Sequence, residues 1–209
     1  IKLSAERLLR KHKMGDDVSQ NLESAVSIIV REVDNMKNMV DEFSRFARMP
    51  RPQPVTVDLH ELCSDTVALY RDIKPGLEVR SDVPEGGLAS KASLDGEQFR
   101  SALINLIDNA VDATGSPGEI LLSAHRDNGI VRLSVSDTGP GIPAEDKEKL
   151  FLPYYSTKGR GTGLGLAICR EVSRLMGGAL TVDSRPGKGS AFTLAISLSR
   201  DDCPDLLPE

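Results

Sequence analysis

Between Asn105 and Gly189 the chain gathers amides, carboxylates and glycines at spacings that suit a phosphate-bearing ligand. Asn105, Asn109 and Asp112 recur at i, i+4 and i+7 in a strongly helical stretch, so they project from one side, opposite Leu103, Leu106, Ile107 and Ala110. Oxygen ligands on one helix face suit Mg2+, which keeps several waters and takes further ligands from substrate phosphates. By itself the stripe reads better as the solvated side of an ordinary amphipathic helix. Asp137-Thr-Gly139-Pro-Gly141-Ile142-Pro143 closes a strand and opens a loop. Its glycines let backbone approach a flat ligand, and its carboxylate can accept from an exocyclic amine such as that of adenine. Lys158-Gly159-Arg160-Gly161-Thr162-Gly163-Leu164-Gly165 then runs directly into a helix. A helix start offers unpaired N–H groups and the positive end of a dipole to phosphate, and Lys158 and Arg160 add cationic charge.

The elements that must position these residues fall into two segments. From Val18 to Met49 there is no Gly or Pro, and Leu22, Val26, Ile29, Val33, Met36, Val40 and Phe43 alternate 4-3 spacings. That is the seam of a coiled coil or four-helix bundle. Ile1, Ala5 and Leu8 read as an earlier helix, with a turn near Gly15. Such a hairpin cannot bury its seam by itself, so a dimeric four-helix bundle is expected; packing on the rest of the chain is the alternative. Pro50, Pro52 and Pro54 end the helix and predict a linker over 50–57.

Beyond the linker the pattern alternates helix and strand. Helices are predicted from Asp58 to about Ile73, Asp95 to Thr114 and Gly163 to Met176, and strands at Leu77–Val83, Glu119–Arg126, Ile130–Asp137, Ala179–Asp183 and Ala191–Leu198. The chain therefore reads as α+β, a two-layer α/β sandwich with a mixed or antiparallel-rich sheet over 58–199. Residues 200–209 read as an acidic tail.

Composition excludes several classes. A formal charge of −5 and sparse aromatics (five Phe, three Tyr, no Trp) argue against a nucleic-acid surface. Cys63, Cys169 and Cys203 lie apart from each other and from His12, His60 and His125, which fits reduced cysteines of a cytoplasmic protein and no zinc site. No apolar run reaches the roughly 18–20 residues needed to cross a bilayer. Gly187-Lys188 is followed by Gly189, so there is no P-loop. Ile168 breaks the dinucleotide glycine pattern that Gly163 and Gly165 would begin, and no His-Arg-Asp of the eukaryotic kinase type occurs.

Four blocks in order resemble the asparagine, first glycine, phenylalanine and second glycine boxes of the GHKL (Bergerat) ATP-binding fold, with the spacing of sensor histidine kinases. They are Asn105–Asn109, Asp137–Gly141, Phe151-Leu-Pro153-Tyr154 and Gly161-Thr-Gly163-Leu-Gly165. Gly187-Lys-Gly189-Ser-x-Phe192 resembles the closing glycine turn, so the likeness covers about residues 55–199. Residues 1–49 resemble a partial dimerisation and histidine-phosphotransfer hairpin. Glu42-Phe-Ser-x-Phe-Ala-Arg-Met-Pro-Arg-Pro is similar to nitrogen-regulation kinases of the NtrY type.

The resemblance implies ATP and Mg2+ as cofactors. Asn109 would ligate the metal and Asn105 would face the phosphates. Asp137 would bind adenine, with Gly139, Gly141 and Ile142 shaping its pocket. Phe151 would anchor a lid over about 152–160. Gly161, Thr162, Gly163, Leu164 and Gly165 would cradle phosphates, with Lys158 and Arg160 as further contacts. Asp112 departs from the Lys frequent in the family and receives no role. ATP-hydrolysing relatives carry a Glu at the place of Asn105, and an amide cannot act as general base, so phosphoryl transfer to histidine is favoured over hydrolysis. The implied partners are a response regulator of NtrX type and a second copy of the chain, with the parent anchored in the inner membrane. The family's His-Glu-x-x-x-Pro phosphoacceptor motif is absent from these residues, and His12 sits at the predicted turn. The chain is therefore expected to bind ATP without phosphorylating itself. An ATP-driven conformational clamp, a pseudo-kinase scaffold and a Ser/Thr-kinase variant are the alternatives.

Overall fold

The computed structural model describes residues 19–86, 91–127, 129–156 and 162–197. The chain divides between Met49 and Pro50 into two compact units.

The first unit is seen as one helix, α1 (Ser19–Ala47). Freedom from Gly and Pro lets it run for 29 residues until the proline-rich stretch stops it. Its 4-3 stripe is largely exposed, Met36 to 60% and Val40 to 62%. The expected preceding helix with Ile1, Ala5 and Leu8, and the turn at Gly15, lie outside the described residues.

The second unit starts earlier than the linker reading allowed. Val55–Asp58 forms strand β1, paired antiparallel with β3 (Lys91–Leu94). Gln53 N donates to Asp95 Oδ2 at 2.9 Å, and Gln98 Nε2 donates to Pro50 O at 3.1 Å. The predicted linker is therefore held to the domain along much of its length. Two four-residue strands carry too short an alternation to stand out beside prolines in the sequence.

Helix α2 (Leu59–Ala68) is capped by Asp58, which accepts from His60 N and Glu61 N. It ends before the predicted Ile73 because Leu69 N and Tyr70 N turn back to Thr66 O and Val67 O, and Asp72 is left-handed at φ 57°. This turn places Tyr70 and Lys74 against α3 (Gly96–Ala113). Tyr70 Oη donates to Asp108 Oδ1 at 2.7 Å, and Lys74 Nζ donates to Val111 O. Burial, then the Asp108 bond, pushes the Tyr70 phenol well above the usual tyrosine range.

Five strands order β2-β4-β5-β7-β6, comprising β2 (Leu77–Asp82), β4 (Gly118–Asp127), β5 (Ile130–Asp137), β6 (Ala179–Ser184) and β7 (Ser190–Ser197). The β2–β4 pair is parallel and the others antiparallel, which gives the expected mixed sheet. Inward residues Ile120, Leu122, Leu133, Leu194 and Ile196 meet Leu59, Phe99, Leu103, Leu106 and Ile107 from the helices, all nearly fully buried. On the other face, Ser134 Oγ and Thr193 Oγ1 lie 2.7 Å apart. One apolar face covered by helices is the two-layer sandwich that the alternation predicted.

His60 Nδ1 lies 2.7 Å from Val83 O, and His125 is exposed on β4. Cys63 and Cys169 are both buried and free. Burial pushes the Cys63 thiol up to about 12 and the Cys169 thiol higher still.

Two measurements check this core. Phe99→Ala should destabilise the domain by about 3–5 kcal/mol in urea unfolding; a loss below about 1 kcal/mol would contradict its burial. Iodoacetamide at pH 8 should leave Cys63 and Cys169 unmodified in the folded chain and alkylate both after unfolding, read by peptide mass spectrometry.

Candidate functional site

Helix α3 is the spine of the site. Asp95 caps it by accepting from Gln98 N at 3.0 Å, and Phe99, Ala102, Leu103, Leu106, Ile107, Ala110 and Val111 bury its core face. On the flank, Asn105 and Asn109 are half-buried, whereas Asp112 is exposed. Asn105, Asn109 and Ala113 stack at successive i+4 steps on a line of about 12 Å at 1.5 Å per residue. A different segment meets each end of that line.

At the Asn105 end lies the start of α5 (Gly165–Leu175). A methyl group at Gly165 would stand 3.3 Å from Asn105 Oδ1, so the helix start lies directly against the amide. One turn further on, Cys169 Sγ donates to Ala102 O at 3.4 Å and ties α5 to α3. Among the described residues no side chain caps α5, although Leu164 N donates to Thr162 Oγ1 at 3.2 Å. An uncapped helix start beside an amide is an anion-binding arrangement.

At the Ala113 end lies the loop after β5. Asp137 Oδ1 accepts from Gly139 N at 2.8 Å. A Cβ on Gly139 would lie 3.1 Å from Ala113 O, and one on Gly141 (φ +72°) only 2.1 Å from Arg185 O. The loop is therefore wedged between the end of α3 and the β6–β7 turn. Only glycine leaves room for both contacts. The strand-end carboxylate of Asp137 is half-buried beside this wedge.

The third wall is the segment after the short helix α4 (Ala144–Lys147). Phe151 is half-buried, while Leu152 and Tyr154 are half exposed. Tyr154 N donates to Gly163 O at 3.0 Å, and Tyr154 and Gly163 are both left-handed, at φ 67° and 70°. Tyr155 Oη donates to Asp146 Oδ1 at 2.6 Å, which raises the phenol's pKa. These bonds pin the two stems of the expected lid to each other and to α4. Lys158, Arg160 and Gly161 lie outside the described residues.

The structure thus brings Asn105, Asn109, Gly165 and the Asp137–Ile142 loop along one helix flank, with Asp112 at an exposed position. Among the described residues no group of three or more His, Cys, Asp or Glu could hold a metal. The half-buried amides of Asn105 and Asn109 carry oxygen donors, a type that suits Mg2+ completed by phosphate oxygens and water. Sequence reasoning passed over Ser184 and Lys147, and gave Ser190 no role beyond its place in the closing glycine turn. Lys147 Nζ donates to Ser184 O at 2.5 Å, and Ile142 N donates to Ser184 Oγ at 2.9 Å. The signal available was a serine at the inward end of the β6 alternation Leu180-x-Val182-x-Ser184.

The family described as histidine kinase-, DNA gyrase B- and HSP90-like ATPase matches residues 94–200. The nitrogen regulation protein NtrY of Azorhizobium caulinodans is 36% identical over 207 residues, covering 94% of this chain and 26% of the relative. The sensor histidine kinase ZraS of Escherichia coli is 30% identical over 177 residues, covering 84% and 38%. The chain therefore spans only about a quarter to two fifths of these relatives. Among solved structures, full-length ShkA in complex with AMPPNP aligns with a TM-score of 0.74 at 30% identity, over 88% of this chain and 40% of that one. Histidine kinase ThkA in complex with the response regulator TrrA aligns at 0.73 and 27% identity, over 94% and 57%.

The wedge makes a direct prediction. Gly141→Ala adds a methyl group where the Arg185 carbonyl already lies and forces an alanine to a left-handed backbone. It should lower stability by about 1–3 kcal/mol in denaturant unfolding, and an unchanged midpoint would sink the wedge.

Proposed function

This chain belongs to the histidine kinase-, DNA gyrase B- and HSP90-like ATPase family, and on that footing we propose that residues 58–199 are the ATP-binding catalytic domain of a two-component sensor histidine kinase. In this reading the γ-phosphoryl group passes from ATP to a histidine of the dimerisation helix, breaking the bond to ADP as a nitrogen–phosphorus bond forms. It then passes to an aspartate of a response regulator. The observation that carries the reading is the flank of α3, with an uncapped helix start at the Asn105 end and a glycine-rich, carboxylate-bearing loop at the Ala113 end.

The roles proposed rest on residue type and, for the described residues, are supported by that placement. Asn109, midway, offers a carbonyl oxygen to Mg2+, and Asn105 faces the phosphates beside the first turn of α5. The metal supplies charge neutralisation to the phosphates when bound. Asp137 accepts from the adenine amine, and Gly139, Gly141 and Ile142 bring backbone up to the base. Phe151 is proposed to anchor the lid, with Lys158 and Arg160 as further phosphate contacts on residue type alone. Gly161, Thr162, Gly163, Leu164 and Gly165 form the phosphate cradle. An amide at Asn105 has no useful basicity, which favours phosphoryl transfer over water activation. Imidazole is already a nucleophile and needs mainly to be positioned.

The likeness to ShkA, solved with AMPPNP, supports a nucleotide ligand, and the ThkA–TrrA complex supports a response-regulator partner. An NtrX-type regulator is the natural candidate given the likeness to NtrY. The exposed stripe of α1 fits a second copy of the same helix, in a homodimeric four-helix bundle over residues 1–49. No helix among the described residues is long and apolar enough to cross a membrane; we place the domain in the cytoplasm, on a parent anchored in the inner membrane.

Calorimetry with a non-hydrolysable ATP analogue and Mg2+ should show saturable binding, weakened at least tenfold by Asn109→Ala or Asp137→Ala. Incubation with γ-labelled ATP should leave His12, His60 and His125 without acid-labile label. Absence of binding would overturn the ATP reading, and label on His12 would overturn the view that the acceptor lies elsewhere.

A further inference from the structure

The first turn of α3 holds more than its own helix. Asp95 caps it through Oδ1, which accepts from Gln98 N at 3.0 Å, while Oδ2 accepts from Gln53 N at 2.9 Å. Gln98 in turn donates through Nε2 to Pro50 O at 3.1 Å. One carboxylate and one amide therefore fasten both ends of the stretch from Pro50 to Gln53 onto the helix that carries Asn105 and Asn109. Positions 98, 102, 105 and 109 follow 4-3-4 spacings, so Gln98 stands on the same flank as those asparagines. It precedes Asn105 by about 10 Å at 1.5 Å per residue.

Side chains hold this stretch because the backbone cannot. Pro50, Pro52 and Pro54 carry no N–H, which leaves Arg51 and Gln53 as the only backbone donors from Pro50 to Pro54. The β1–β3 ladder stops at the Val55–Leu94 pair, because the chain beyond Leu94 turns into α3. That register brings Gln53 beside Asp95. Gln98 Oε1 is buried and has no hydrogen-bond partner among the described residues. A buried unpaired acceptor is destabilising, and a leucine at this position would avoid it. What the amide adds is the bond to Pro50 O. Arg51 and Gln53 are exposed, so water reaches this strap and competes for its bonds.

We propose that Asp95 and Gln98 are positioning residues that set the length of free chain between α1 and the asparagine flank of α3. What that length does for the reaction rests on the kinase reading given above. With both bonds made, the chain left between Ala47 and Pro50 is Arg48 and Met49, about 7 Å at roughly 3.4 Å per residue. With both broken it runs through Pro54, about 24 Å. The effective concentration of one tethered unit for another depends on the length of their connection. The strap thus decides which separations from the end of α1 the ATP-binding flank samples, without touching the ligand. A merely structural cap would stabilise α3 and leave the freedom of residues 50–53 unchanged.

The test uses the full 209-residue chain and variants that separate strap from cap. Asparagine caps helices as well as aspartate but has one acceptor oxygen in place of two. Asp95→Asn should therefore keep the bond from Gln98 N and lose the one from Gln53 N. Gln98→Leu removes the donor to Pro50 O together with the unpaired acceptor, so the question stands even where one variant folds poorly. Amide exchange by NMR should be at least about fivefold faster at Gln53 in Asp95→Asn, with the Gln98 amide still protected. Trypsin should cut after Arg48 at least about threefold faster in both variants, read by mass spectrometry; Arg51 precedes Pro52 and resists it. Affinity for a non-hydrolysable ATP analogue should stay within about twofold in both. Unchanged exchange at Gln53 in Asp95→Asn, or unchanged cleavage after Arg48 in both variants, overturns the inference. A loss of analogue affinity of about tenfold in either variant also overturns it, by placing these residues in the nucleotide site. Exchange and cleavage need no nucleotide, so absent binding with the strap responding as expected tells against the ATP reading alone.

Discussion

The site depends on one helix being held on several sides at once. Helix α3 buries Phe99, Leu103, Leu106 and Ile107 against the sheet, and this fixes the rotation of the helix about its axis. Once that rotation is set, Asn105 and Asn109 have no choice of direction, because side chains on a helix follow the 3.6-residue period. The remaining degrees of freedom are taken up by neighbours. Tyr70 and Lys74 hold the side bearing Asp108 and Val111, and Cys169 ties the first half of the helix to α5. The direction of these amides is therefore set by apolar packing made elsewhere on the same helix.

Close backbone approach is the second constraint. Gly139, Gly141, Gly163 and Gly189 each lie where a Cβ would meet another chain segment within about the distance of a bond or a tight contact. Removing side chains lets loops from β5, the lid stems and the β6–β7 turn converge on one helix flank without displacing it. The same convergence concentrates backbone N–H groups. In a chain with a net charge of −5, attraction for a polyphosphate has to be local, and a helix start such as that of α5 is the kind of feature that supplies it. The field that matters for such a ligand is set by a few oriented dipoles more than by net charge.

Much of this was legible in the residues alone. The α3 pattern, the glycine runs, the alternation in β4, β5 and β7 and the uninterrupted seam of α1 each carry a periodicity strong enough to identify an element. The sandwich followed from them, since a one-sided apolar sheet needs helices on that side. Strands β1 and β3 did not stand out, because four residues beside prolines hold too little alternation. The end of α2 was missed because its last predicted turn is given up to let Tyr70 reach Asp108, a contact 38 residues away that no local signal announces.

By itself the sequence determined the longer helices and strands and which residues are chemically able to meet a magnesium nucleotide, since both follow from residue type and short-range spacing. Only the tertiary structure decided that Gly165 lies on Asn105, that Gly139 lies on the far end of the same helix, and that Ser184 joins the loop holding Asp137. Those contacts join positions 26 to 60 residues apart, and their geometry depends on how the sheet orders its strands. Strand order is a property of the whole packed core, so no window along the chain contains it.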